Sequence, residues 1–212
     1  MGSNGVPEEM KSKKKENAVR NLVSLYTVVI GVALSLAVVG LVDPGRGLAS
    51  LSPSSCFLFL AFVSTLLPFF HGAMRHLDDA YLENEAVVIK DGALIVDFVL
   101  LFFHGLAFVV LSLLLQQPVE FAWVLISVLG IDILWAAFAH FASSSEQIGG
   151  VEGKWGLINL TFVVIGVILL VTNNVHFWSL TSGSKLSVSI ALLCVLRTVV
   201  DYAWCREFYF PR

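Results

Sequence analysis

The chain has 212 residues, 57% of them hydrophobic and 14% charged, with a formal net charge of −3 and a mean hydropathy of +0.84. Soluble domains are about half apolar and a quarter charged, so this is a membrane composition and the lipid bilayer is the implied partner. The small net charge, with basic residues gathered at the ends of apolar runs, argues against nucleic-acid binding.

The chain opens on MGSNGVPEEMKSKKKEN, and residues 1–18 read as a disordered basic segment. Gly2 invites the myristoylation pattern, which requires Ser or Thr at position 6, where Val6 stands. The apolar run Val19 to Val42 is too long for a signal-peptide core and lacks a small-residue cleavage pattern, so it reads as a retained first span. The turn set DPGRGLASLSP closes it.

A second span covers Ser54 to Arg75 and contains Pro68, which removes one backbone hydrogen bond. In a membrane the carbonyl freed by such a proline must be met by a neighbour or by water. A kink there would tip His71 and Arg75 towards the bundle. The acidic stretch LDDAYLENEAVVIKDG follows and is compatible with a short interfacial helix with Leu77 and Tyr81 on one face.

Spans three and four, Asp91 to Leu115 and Glu120 to Phe141, turn at Gln116-Gln117-Pro118 and each carry one aspartate and one histidine. These are Asp97 with His104, and Asp132 with His140. A carboxylate in hydrocarbon costs several kcal/mol on insertion scales, so these groups need partners, water or a function. At about 1.5 Å per residue, Asp97 lies at about the depth of His140, and His104 at about that of Asp132, which predicts two cross-helix carboxylate–imidazole pairs. Spans five and six, Trp155 to Val171 and Leu186 to Cys205, add Asn159 and an Arg197–Asp201 pair at the i, i+4 spacing of an intrahelical ion pair. REFYFPR, residues 206–212, reads as a short cytoplasmic tail.

The sequence therefore predicts an all-α polytopic membrane protein, a bundle of six transmembrane helices over residues 19–205. Lys and Arg crowd the side that holds the N-terminus, leaving Arg46 and Lys185 on the other, so both termini are expected in the cytoplasm of a plasma or inner membrane. No loop exceeds about fifteen residues, which leaves no room for a soluble domain within the chain.

His71, Arg75, Asp97, His140, Asn159, Arg197 and Asp201 form a shallow polar layer below a deeper His104/Asp132 step. Some of this layer is open to a plainer reading, because interhelical polar contacts often only join helices and long side chains reach headgroups. Three functions fit. The first is channel-like or transporter-like permeation or gating of ions or protons through a cytoplasm-facing, charge-paired interior. The second is a sensor or anchor subunit with a soluble cytoplasmic partner, docked through the acidic loop or the aromatic tail. The third is a metal- or haem-dependent membrane enzyme, with His71 and His140 as weak ligand candidates. Against the third, no H-x-x-x-H or C-x-x-C-H occurs, and Cys56, Cys194 and Cys205 have no metal spacing. Small residues in span one, Gly31, Ala33, Ser35, Ala37 and Gly40, fit either internal packing or a homo-oligomer.

Overall fold

In the computed structural model each apolar run is one helix: α1 Glu8–Leu41, α2 Pro53–Asp78, α3 Ala93–Leu113, α4 Pro118–Ala142, α5 Gly149–Asn174 and α6 Gly183–Trp204, followed by a short α7, Arg206–Tyr209. The structure describes residues 8–42, 51–83, 92–142, 149–174 and 183–211. Six helices are long and apolar enough to cross a membrane, and no strand occurs among the described residues.

Local chemistry sets the helix ends. Ser52 caps α2, its hydroxyl accepting from the Ser55 backbone N–H at 3.0 Å, and Pro53 fills the first helical position, where no N–H is needed. Pro118 plays the same part for α4. Gly92 enters α3 at φ 99°, a left-handed conformation that favours glycine. α2 continues past Asp78 through a π-helical turn, Asp79–Glu83, which brings Tyr81 back towards the bundle. Of the acidic loop, residues 84–91 lie outside the described residues.

Residues 8–18, expected to be disordered, are instead helical and belong to α1. The segment from Glu8 to Ala18 is rich in Glu, Lys, Met and Ala and contains neither Pro nor Gly, so nothing stops the helix of the first span from running back through it.

Each helix buries a narrow stripe. On α1 it runs Val19, Leu22, Tyr26, Ile30, Ala33 and Ala37, at steps of three or four residues. The opposite faces carry Val28, Val39, Ile95, Leu134 and Leu192, all exposed and apolar, as lipid-facing surfaces are. α2 lies at the centre, touching α1, α3, α4, α6 and α7, and its most extensive partner is α6; α4 packs chiefly on α5, and α1 on α3.

Two details show how the packing is achieved. Pro68 leaves the Ser64 carbonyl without its usual donor four residues on, and the Thr198 hydroxyl of α6 donates to that carbonyl, so the helix partner meets the freed group as anticipated. At Gly105 the backbones of α3 and α1 approach so closely that a Cβ would stand 2.7 Å from Val29 Cγ1.

Candidate functional site

Asp97 and His104 of α3, and Arg197 and Asp201 of α6, lie on the buried stripes. On α3 the stripe reads Asp97, Leu101, His104, Phe108 and Leu111; on α6 it reads Ile190, Cys194, Arg197 and Asp201. A helix that buries its apolar stripe therefore carries these groups inward with it. They meet around a cavity of about 50 Å³ whose wall includes Tyr26, His76, Asp97, His104, Asp132, Trp135, Trp155, Arg197, Asp201 and Tyr209.

One side of the cavity is built around Asp97, only 7% exposed. Its Oδ2 accepts from the Tyr81 hydroxyl at 2.6 Å and faces His76 Nε2 at 3.4 Å, and its Oδ1 accepts from Trp135 Nε1 at 3.2 Å. The other ring nitrogen of His76 stands 3.7 Å from Glu152 Oε1, so this imidazole lies between two carboxylates. The Trp135 ring meets it edge to face, with centroids 4.9 Å apart.

The other side is a chain of polar contacts across α4, α5, α6 and α7. Asn159 Nδ2 donates to Asp132, and Asn159 Oδ1 accepts from Arg197 Nε at 2.8 Å. Arg197 Nη1 stands 3.7 Å from Asp201 Oδ2, with the guanidinium 4.9 Å from the Phe69 ring centroid. The Tyr209 hydroxyl lies 3.2 Å from both oxygens of Asp201 and donates to that carboxylate. The Arg197–Asp201 ion pair read from the sequence is therefore formed.

Between the two sides stands His104, buried against the edge of Phe69, with one ring nitrogen turned towards the Val128 backbone and Nε2 without a hydrogen-bond partner. The His104–Asp132 pair expected from depth is not made, because Asn159 takes the Asp132 carboxylate. The His140 side chain, expected opposite Asp97, lies outside the described residues. His76, Tyr81 and Trp135 hold Asp97 instead.

Asp97, His104, Asp132, Arg197 and Asp201 thus share one cavity, with Asn159 fully buried behind it. His71 and Arg75 do not line it. His71 Nδ1 lies 3.3 Å from the Tyr202 hydroxyl and its ring packs on Tyr209 and Phe210, while Arg75 Nε donates to the Phe208 carbonyl at 3.3 Å. Both therefore hold the C-terminal segment in place. Tyr209, which the sequence placed in a tail, is turned inward and only 3% exposed. Burial, together with the Asp201 carboxylate, raises its phenol above the usual tyrosine range.

Among the described residues, Tyr26 Oη and His104 Nε2 in this wall make no hydrogen bond, Trp155 Nε1 is turned towards the Asp201 carboxylate, and Arg197 Nη1 has its 3.7 Å ion-pair contact with Asp201. Buried polar groups are nearly always satisfied, so polar atoms left open around one space are able to bond a polar guest there. At roughly 10–15 Å³ per water position, the cavity has room for a few waters. Among the described residues no three His, Cys, Asp or Glu side chains gather as metal ligands do, and His71 is occupied by aromatic neighbours.

A second, smaller cavity of about 20 Å³ lies between α2, α4, α5 and α6, lined by Leu125, Ile126, Leu129, Phe162, Leu169 and Leu193 among others. Arg197 borders both cavities, so the guanidinium stands between a polar chamber and an apolar one.

The fold defines a class, a six-helix bundle of membrane-spanning composition with a polar interior. Comparison with protein-family profiles, with curated proteins and with solved structures returns no match.

Proposed function

We propose that the chain is a channel-like or transporter-like protein, with both termini cytoplasmic, in which protons or other ions permeate or are gated through the polar cavity. The observation that carries this reading is the convergence of Tyr26 Oη and His104 Nε2, without a hydrogen-bond partner among the described residues, and of Trp155 and Arg197, which face Asp201, on a space also walled by Asp97 and Asp132. Polar groups that only join helices bond to one another across the interface; groups left open around a shared space are arranged for something that enters it. The excess of Lys and Arg on the side of the N-terminus supports this orientation, with the polar cavity in the cytoplasmic half. The apolar crevice beyond Arg197 then forms the outer half of a path closed by hydrophobic side chains.

Flux measurements on protein reconstituted in liposomes test the reading, comparing the parent with Asp132→Asn and His104→Ala. Permeation that falls in both variants supports it. Leak equal to that of protein-free vesicles in all three refutes it.

A further inference from the structure

Resting on that reading, we infer that the permeating species is the proton and that Asp132 is the carboxylate that takes it up. The three acids of the cavity wall are not equivalent. Asp97 is engaged on both oxygens, by Tyr81 and His76 on one and Trp135 on the other, and Asp201 is held by Tyr209 on both oxygens and by Arg197. Each is committed to neighbours that stabilise its charge. Among the described residues Asp132 has one hydrogen-bond donor, Asn159, and it lines the chamber.

The groups that face Asp132 come from every neighbouring helix: Tyr26 on α1, His76 on α2, Asp97 and His104 on α3, Arg197 and Asp201 on α6 and Tyr209 on α7, with neutral Asn159 on α5. Glu152 is reached through His76.

The chemistry of the wall atoms selects the guest. Trp155 Nε1 and Arg197 Nη1 are donors only, and Tyr26 is both donor and acceptor. His104 Nε2 accepts when the ring is neutral and carries its proton on the other nitrogen, which is turned towards the Val128 backbone. A bare metal cation needs a shell of free oxygens, and here the oxygens of Asp97 and Asp201 are already taken. A simple anion would sit against three carboxylates. Water satisfies a mixed set of donors and acceptors, and a few waters fill the chamber. A proton passed along those waters from the chamber mouth to Asp132 needs no further space. On arrival a carboxylate oxygen gains an O–H bond, and the hydronium that delivers the proton loses one and becomes water, so charge and atoms balance.

Liposomes carrying the protein are given a pH gradient and, in separate arms, a potassium or a sodium gradient, with the parent, Asp132→Asn and Asp132→Glu. In parallel, infrared difference spectra of each protein in detergent are recorded as pH is stepped. The expected result is proton flux in the parent, loss of that flux to the vesicle leak in Asp132→Asn and partial return in Asp132→Glu. A carboxylic-acid carbonyl band that titrates in the parent disappears in Asp132→Asn, a signature that a merely structural role would not give. Potassium or sodium flux without proton flux overturns the inference and leaves permeation standing. Proton flux or a titrating band unchanged in Asp132→Asn overturns the assignment to Asp132. No flux in any arm removes the permeation reading itself.

Discussion

Replacing Arg197 by methionine discriminates between a polar interior that only joins helices and one held by charge. The Arg197 and Asp201 side chains are 5% and 2% exposed, and the guanidinium also donates to Asn159 at 2.8 Å and lies over Phe69. Interhelical polar contacts in membrane proteins average about 0.6 kcal/mol, with a maximum near 1.7. Breaking a buried ion pair on one side costs about 3–5 kcal/mol, because the partner is left charged and unpaired. Arg197→Met is therefore expected to lower stability by about 3 kcal/mol or more, roughly a hundredfold in the unfolding equilibrium. Removing both charges, in Arg197→Met with Asp201→Asn, is expected to cost less than the sum of the single changes, with a coupling of about 1–3 kcal/mol. The assay is reversible unfolding in mixed micelles, followed by tryptophan fluorescence and helix content. A loss within about 0.6 kcal/mol for Arg197→Met, with additive behaviour in the double variant, would refute the reasoning.

Three further outcomes follow from the packing and the C-terminal segment. Gly105→Ala places a methyl group 2.7 Å from Val29 Cγ1 and is expected to lower thermal stability in detergent by about 1–3 kcal/mol, with recovery when Val29→Ala is added; no recovery would locate the strain elsewhere. Tyr209→Phe removes the donor to Asp201 and is expected to weaken the docking of α7 by about 1.5–3 kcal/mol, seen as faster release of C-terminal residues by a carboxypeptidase; an unchanged rate would refute the docking argument. Burial first, then the Asp201 charge, pushes the Cys205 thiol up to about 12, so the reactive thiolate is scarce at neutral pH and becomes abundant only as pH approaches that value. Mass spectrometry after maleimide treatment at neutral pH is expected to find the label on exposed Cys56 and not on buried Cys205, and equal labelling would contradict the burial.

The helix count was legible because a run of about twenty apolar residues has few alternatives, and Asp97, His104, Asp132, Arg197 and Asp201 were legible because a charge in such a run is conspicuous. Their common destination was also readable in principle. In a lipid-facing helix both faces are apolar, so the inward face shows mainly in where the polar residues fall, and Arg197 and Asp201 continue the stripe set by Ile190 and Cys194. Partner choice was not legible. Depth counting matched Asp132 to His104 by treating α3 and α4 as a pair, whereas α4 packs chiefly on α5, whose Asn159 reaches Asp132.

His76, Tyr81, Glu152 and Tyr209 were not read as site residues for a different reason. Each lies near a helix end, where polar side chains are common and usually meet water or headgroups. The π-helical turn returns Tyr81 to Asp97, and the break at Cys205 returns Tyr209 to Asp201. Neither change of direction has a sequence signal as strong as a proline or a glycine.

The dependence of α2 on α6 has a consequence for how the protein is made. Chains are synthesised from the N-terminus, so α2 is made long before its largest partner exists. During that interval the Ser64 carbonyl, exposed by Pro68, lacks the Thr198 hydroxyl, and Asp132 and Asn159 lack Arg197. A product truncated ahead of residue 183 would leave the carbonyl freed by Pro68 and the Asp132–Asn159 contact permanently without their α6 partners.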